Sequence, residues 1–369
     1  MAKLLDYYPM IHRDKLVYTY QTGIVRIGTD DNDVIEITDP EGKFLPICQL
    51  MDGEHSVRSL LQEFPELSLR QLSLMIVKLG QKHSLAVLEE PFSEMTQAGR
   101  FQADLTYYYS EGFAGDQVLE QIQKMHVTIF GAGGGGSLLA LQLINLGVQH
   151  LHLVDDDLIE QSNLNRQFLF QDQDLGHFKV DAVRQFLLAR QPQAQITVSK
   201  QRITSVAGAK KELENADWGF CCIDEPPYIA QRIINRACFE KQIPSLYGFS
   251  ARDSGKLLLV DPRKTACIDC LLSSRDNAGF QQLITAFQNG DFHPTTPIIL
   301  PNMLLETAWI AKRWLDQVLQ RQEFGNALYR FDYNQLQEEK FVPFTRQDNC
   351  PTCGSIRNRS KLWSIIPIQ

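Results

Sequence analysis

The stretch VTIFGAGGGGSLLALQLINLG, Val127 to Gly147, constrains the fold more than any other part of the 369-residue chain. A β-branched and aromatic run leads into five glycines within six positions, and an apolar helical pattern follows. A strand, a glycine turn and a helix in that order bring backbone N–H groups close to phosphate at a helix N-terminus. Gly131, Gly133 and Gly136 satisfy G-x-G-x-x-G, with Gly134 inside the turn. The pattern fits NAD, FAD and ATP alike, or a structural turn, so the nucleotide must be read elsewhere. Downstream, strand and helix patterns alternate through LHLVDDD, VDAVRQFLLARQ, QITVSK, WGFCCID, YIAQRIINRACFEK and PSLYGFS. Such alternation predicts an α/β fold with a doubly wound, mostly parallel, Rossmann-like sheet, whose ligands bind at the carboxyl ends of the strands.

Asp155 closes the second strand of this series, 19 residues beyond Gly136, where a carboxylate can accept hydrogen bonds from ribose hydroxyls. Asp156 and Asp157 read as solvated turn acids, with Asp157 kept as a candidate nucleotide contact. The polar cluster SNLNRQF supplies Asn163, Asn165, Arg166 and Gln167, and Lys179 follows in LGHFKVDAV. A bound redox dinucleotide needs few cations there. Nucleotidyl transfer needs them, because charge develops on the α-phosphate and the departing pyrophosphate, and fixed Arg and Lys donors with magnesium offset it. Asp224, at the end of WGFCCID, is placed by type and position to hold the magnesium.

The net charge is −8 with no basic block, which argues against a nucleic-acid partner, since phosphate neutralisation needs a basic face. No run of 18 uncharged apolar residues is present, so no membrane span is expected. The N-terminus lacks the apolar core of a secretion signal, and a cytoplasmic location is expected. Four of the eight cysteines form two close pairs, Cys267/Cys270 and Cys350/Cys353, with 79 residues between the pairs. Four thiolates suit one tetrahedral zinc with no open position, hence a structural metal; free thiols or a redox pair are the other readings. Cys48, Cys221, Cys222 and Cys238 lie in apolar surroundings and read as packed thiols.

Residues 1–90 form a separate block. Val17–Tyr20, Ile24–Ile27 and Val34–Ile37 read as short strands; three short helical stretches and a last strand, SLAVLEE, follow. This predicts a small winged-helix-like α+β domain without a basic recognition helix. DNDVIEITDPEGKFLPICQLMDGEHSVRSLLQEF resembles the PqqD-like modules that bind leader peptides of ribosomally made natural products. That resemblance implies capture of a peptide as an added strand on a sheet edge; a structural or dimerising appendage is the other reading. Residues 91–125, including TYYYSEGF, read as a linker and dimer-contact segment, and 126–369 as the catalytic domain.

GAGGGGS, LVDDDLIEQSNLNRQFLF, LGHFKVDAV, CCID and the two C-x-x-C pairs together resemble the ubiquitin-activating-enzyme-like adenylyltransferases of the ThiF/MoeB type, over about residues 100–355. The resemblance implies that ATP and magnesium convert a carboxylate into an acyl-adenylate. By that similarity Asp155 would bind ribose, Arg166 and Lys179 the phosphates, Asp224 the metal, and Asn163 and Gln167 would line the nucleotide pocket; a homodimer is implied too. Two departures stand out. Many relatives carry R-x-x-R before the glycine loop, whose second arginine reaches ATP across the dimer; here Arg100 remains and Ala103 holds the second position. Relatives that pass the acyl group to a thiol carry a cysteine in the segment matching Leu271 to Thr296, and here there is none. That segment is expected to be a mobile cover, with His293 read as a loop histidine. The helix Asn302 to Leu319 reads as core or dimer contact.

A peptide-binding block joined to an adenylation domain resembles the maturation enzymes of microcin-C-type and pantocin-type antibiotics. The expected function is adenylation of a carboxylate on a short ribosomally made precursor peptide. Either N–P bond formation at a C-terminal Asn or cyclisation through a Glu side chain follows, and the missing second arginine favours the latter. The alternatives are a sulfur-carrier adenylyltransferase acting on a Gly-Gly terminus and an inactive peptide-binding scaffold.

Overall fold

A computed structural model describes residues 3–29, 34–82, 84–92, 96–289, 297–321, 325–356 and 360–369, with the side chains of 96–98 left aside. The chain divides into two compact units, Met1–Gln121 and Ile122–Gln369.

In the first unit, β2 (Val17–Gln21), β3 (Ile24–Ile27) and β4 (Ile35–Thr38) form an antiparallel meander with β3 in the centre. Three helices follow: α1 (Phe44–Gln49), α2 (Val57–Glu63) and α3 (Leu69–Gln81). Their starts are written locally. Asp39 accepts from the backbone N–H groups of Lys43 and Phe44 at 2.8 and 2.9 Å, satisfying donors that a helix start leaves open. Ser56 caps α2, and Ser68 with Gln71 closes a reciprocal capping box on α3. Ile27, Ile47, Met51, Val57, Leu60 and Leu72 make the core of this unit. One strand escaped the sequence reading: β1 (Tyr8–Ile11) pairs antiparallel with β5 (Leu85–Leu88). Its partner lies some 75 residues away, so no local periodicity announces it. The tyrosine-rich connector is a helix, α4 (Gln102–Ser110), with Tyr108 and Tyr109 buried; α5 (Gly115–Lys124) comes next.

The second unit is built on an eight-stranded sheet in the order β13-β12-β11-β10-β9-β6-β7-β8. Strands β6 (His126–Phe130), β7 (His150–Val154) and β8 (Gln195–Ser199) run parallel to one side, β9 (Trp218–Cys221) and β10 (Ser245–Ser250) to the other. The order reverses between β6 and β9, and ligands of doubly wound sheets bind at that split. Strands β11 (Ser254–Val260), β12 (Ala327–Asp332) and β13 (Gln337–Pro343) extend the sheet antiparallel, an edge the alternation did not foretell.

The helices of this unit are α6 (Gly134–Asn145), α7 (Lys179–Arg190), α8 (Val206–Glu212), α9 (Ile229–Glu240), α10 (Ile268–Ser274), α11 (Ala278–Asn289), α12 (Leu300–Val318) and α13 (Leu362–Ile365). Helix α12 packs on α6, β10 and β11. Glycines let it come close: a Cβ at Gly248 would stand 2.9 Å from Ile310 Cδ1, and one at Gly255 the same distance from Glu306 Cγ. The segment expected as a mobile cover carries the end of α10 and all of α11; His293 lies outside the described residues. Among the described residues no helix is long and apolar enough to cross a membrane.

A buried ion pair fastens the C-terminal tail. Arg232 Nε donates to Asp269 Oδ1 at 2.7 Å, with both side chains almost fully buried. The guanidinium also reaches the Ile366 carbonyl and stacks on Trp363, while Thr352 Oγ1 donates to Asp269 at 2.7 Å. Removing one member leaves the other buried and uncompensated. Asp269→Asn and Arg232→Met should each cost about 3–5 kcal/mol in chemical denaturation, and the double replacement less than the sum of the two. Additive losses would show that the pair is not coupled.

Candidate functional site

The glycine turn follows β6 directly. Gly131 has φ +96°, a left-handed conformation that glycine adopts without cost. A Cβ on Gly131 would meet the Cys222 carbonyl oxygen at 2.6 Å, and one on Gly136 would lie 1.8 Å from the Gly131 oxygen. Backbone therefore packs on backbone from β6 to α6 and across to the end of β9. Gly133 is the extended residue before α6 and Gly134 its first helical residue. Met303 of α12 reaches Gly134, where an added Cβ would stand 3.2 Å from its Cε.

Asp155 locks the turn from β7. Its Oδ2 accepts from the Ala132 N–H at 2.6 Å and its Oδ1 from the Asp157 N–H at 2.8 Å. Burial pushes this carboxyl above the usual range, against the pull of those two N–H groups and Lys179. Lys179 begins α7, is only 7% exposed and meets Asp157 Oδ2 at 2.6 Å. Asn163 Oδ1 accepts from Glu160 N–H at 3.0 Å and shapes the short turn Gln161–Asn163. Arg166 donates to the Ser162 carbonyl at 2.7 Å and to Asn165 Oδ1 at 3.1 Å. Gln167 is 5% exposed, and its Oε1 has no hydrogen-bond partner among the described residues. Buried acceptors are normally satisfied, so this one points to a donor that a ligand would bring. A Cβ on Gly133 would stand 3.8 Å from Gln167 Nε2, which puts that side chain on the glycine turn.

Asp224 lies three residues beyond β9, across the split from the glycine turn. It keeps accessible surface, yet its surroundings crowd it enough that burial, followed by Glu225, raises its pKa. An exposed strand-end acid, with no hydrogen bond or basic partner among the described residues, has the donor type and the open position that a hard cation such as magnesium takes.

Glu306 of α12 is a residue the sequence reading passed over as core. It is 2% exposed; its Oε2 accepts from Ser250 Oγ and, at 3.0 Å, from Tyr333 Oη. Burial, helped by the charge of Asp224, pushes it up to about 7 against the pull of those two bonds. Ser250, Tyr333 and Asp224 come from three distant stretches of chain, so nothing near Glu306 in sequence marks it.

Arg100 belongs to the other compact unit, exposed at the end of the short helical turn Thr96–Phe101, and Ala103 sits in α4.

The four paired cysteines converge. Cys267–Cys270, Cys267–Cys350, Cys267–Cys353 and Cys270–Cys353 have Sγ–Sγ distances of 3.9, 3.5, 3.7 and 3.2 Å. All four sulfurs lie within 4.8 Å of one another. A tetrahedron with Zn–S bonds of about 2.3 Å has edges of roughly 3.8 Å, so the donor set and spacing fit one zinc. The backbone N–H groups of Gln347 and Cys353 point at Cys270 and Cys350 sulfurs at 3.4 and 3.5 Å, as they would toward thiolates. Cys221, Cys238 and Cys48 are buried, and burial pushes each thiol up to about 12, which leaves them unreactive.

A glycine turn at the switch point of a parallel sheet, beside two cations and an open acid, defines a nucleotide-binding α/β protein of the doubly wound class. The ThiF family profile matches residues 109–352. The chain belongs to the ThiF family. It is 33% identical over 172 residues to the sulfur carrier protein ThiS adenylyltransferase of Escherichia coli K12, a match covering 46% of this chain and 67% of that protein. It is 31% identical to the Nedd8-activating enzyme E1 catalytic subunit of Drosophila melanogaster, over 45% of this chain and 39% of that one. The match to SUMO-activating enzyme subunit 2 of Dictyostelium discoideum spans only 23% of that protein. In fold, the chain matches E. coli MccB solved with ATP at a TM-score of 0.72 and 19% identity, covering 94% of this chain and 99% of that one. PaaA matches at 0.69 and 18% identity, over 90% and 99%.

Gly136→Ala should abolish nucleotide binding measured by calorimetry, because no side-chain motion relieves a backbone clash. Glu306→Gln should raise the melting temperature relative to the parent as pH rises from 4.5 to about 7, and not below that window. The parent carboxyl binds its proton more tightly folded than unfolded, so it loses stability on ionising, whereas Gln cannot ionise. A pH-independent difference would remove the buried acid from this account.

Proposed function

We propose that the protein is an ATP-dependent adenylyltransferase that activates a carboxylate of a short, ribosomally made precursor peptide, in the manner of antibiotic maturation enzymes. The observation that carries this reading is the pairing of the nucleotide site with the N-terminal unit: MccB solved with MccA, and the microcin C7 biosynthetic enzyme MccB solved with N-formylated MccA, share the fold over 94% of this chain.

In this reading the glycine turn and Gln167 receive the nucleotide, Asp155 fixes the turn and meets ribose, and Asn163 shapes the pocket wall. Asp224 holds magnesium, which when bound neutralises charge on the phosphates. Arg166 and Lys179 stabilise charge growing on the α-phosphate and pyrophosphate; Lys179 leaves Asp157 to do so. The carboxylate oxygen attacks the α-phosphorus, the bond to the β-phosphate breaks, and pyrophosphate departs. Without a cysteine in the segment after Cys270, a nitrogen or carbon nucleophile of the substrate itself takes the acyl group. Ala103 favours cyclisation within the peptide over N–P bond formation.

The N-terminal unit captures the peptide. Strand β4 is an edge of its sheet, and Leu74 and Val77 of α3 expose apolar side chains, matching capture of a strand by main-chain bonds and side-chain pockets. A homodimer is part of the proposal, with Ile299, Leu304 and Leu305 forming an exposed apolar row at the start of α12. The four thiols hold structural zinc. A sulfur-carrier activator is the second reading, favoured by the likeness to the ThiS adenylyltransferase.

ATP–pyrophosphate exchange tests the reading. Short peptides encoded beside the gene should support it where a Gly-Gly carrier does not, and Asp224→Asn should lower it by about 10² or more while peptide binding persists. Exchange driven by the carrier alone would establish the second reading; none with either substrate would leave a scaffold.

A further inference from the structure

Helix α12 sends two side chains to the nucleotide end of the sheet from one face. Met303 reaches Gly134 and Gly135 of the glycine turn, where added Cβ atoms would stand 3.2 Å from its Cε and 3.7 Å from its Sδ. Glu306 follows three positions later, hence on the same side of the helix. Glycines in the sheet make room for its carboxyl. A Cβ on Gly255 would lie 3.1 Å from Glu306 Cδ and 3.0 Å from Tyr333 Oη, and one on Gly248 would lie 3.7 Å from Glu306 Oε1. The acid therefore rests on bare backbone of β10 and β11.

Glu306 Oε2 accepts from both Ser250 Oγ and Tyr333 Oη. Tyr333 is buried, whereas Ser250 keeps accessible surface, so Ser250 is the side of this cluster open to a ligand. The turn that follows Ser250 is held by three hydrogen bonds. Asn302 Nδ2 donates to the Arg252 carbonyl at 3.2 Å, the Ala251 N–H to the Ser254 carbonyl at 2.9 Å, and the Tyr333 N–H to the Asp253 carbonyl at 3.0 Å. Beyond the last paired residues of β9 and β10, Cys221 and Tyr247, each chain runs three residues further, to Asp224 and Ser250. The charge of Asp224 is felt at Glu306, yet among the described residues the Glu306 carboxyl bonds to the two hydroxyls and not to Asp224. A hydroxyl that gives its proton to a carboxylate presents only lone pairs to a ligand, which suits it to accept an N–H. Hydroxyl, acid and a second hydroxyl that orients the acid stand within hydrogen-bond reach, as proton transfer requires.

We propose that Ser250 and Glu306 form a proton relay for the second half of the reaction, serving the substrate nitrogen that attacks the acyl-adenylate. This rests on the adenylation reading for the acyl-adenylate itself. The N–C bond forms, the bond from the acyl carbon to the AMP oxygen breaks, and AMP leaves with that electron pair. The proton of the attacking nitrogen passes to Ser250 Oγ as the serine's own proton passes to Glu306 Oε2. Once the product has left, the acid returns the proton to solvent through the same hydroxyl. Tyr333 holds the carboxyl in place and touches no substrate.

The test uses the full chain, its S250A, S250T and E306Q variants, ATP, magnesium and a synthetic copy of the short peptide encoded beside the gene. ATP–pyrophosphate exchange reads the first half-reaction and AMP release the second. S250A and E306Q should keep exchange within about twofold and lose AMP release by about 10² or more. S250T, which keeps the hydroxyl, should recover most of the release. Hydroxylamine should still draw hydroxamate from S250A and E306Q, since the acyl-adenylate forms in both. Exchange and release that fall together overturn the relay, as does a peptide adduct on Ser250 found by mass spectrometry, which would make that hydroxyl the acyl acceptor. Exchange by the parent with release unchanged in S250A and E306Q sinks the relay alone. A parent that performs no exchange removes the adenylation reading and the relay with it.

Discussion

Everything at the nucleotide site hangs on a backbone-to-backbone contact. Gly136, in the first turn of α6, comes so close to Gly131 that no side chain fits between them, and Gly131 in turn abuts the carbonyl of Cys222. This contact brings the end of β6, the start of a helix and the end of β9 to one place. Asp155 then pins the turn by accepting from Ala132. Its carboxylate holds the loop with one set of lone pairs, accepting from Ala132 and Asp157, and keeps others open to a ligand. A conservative change to Asn would trade one acceptor oxygen for a donor and disturb both.

Around that contact the site collects groups that repel one another until something is bound. Burial raises the proton affinity of both Asp224 and Glu306, with Glu225 adding to the first and the charge of Asp224 adding to the second. Unrelieved charge of this kind is characteristic of a place kept for ligands.

The zinc-type cluster and the tail ion pair show a division of labour along the chain. Cys267, Cys270 and Asp269 come from one short stretch, Cys350, Cys353 and Thr352 from another, and the two interlock through sulfurs and through the Thr352–Asp269 bond. Arg232 joins this knot from α9, the helix that follows the Asp224 loop. The C-terminal tail is thereby tied to the helix that follows the Asp224 loop.

The residues that carry local information were legible in the sequence: the glycine turn, the strand-end acids Asp155 and Asp224, the cation pair of the SNLNRQF and GHFK segments, and the two cysteine pairs, because steric need, strand ends and fixed ligand spacing all act over a few residues. The pairing of β1 with β5, the antiparallel extension from β11 to β13, and the surroundings of Glu306 and Lys256 were decided only by tertiary structure. Their partners lie tens of residues away, and a carboxyl on an apolar helix or a lysine in a strand has no local signature. Its chemistry is set by burial and by the charges that folding places around it.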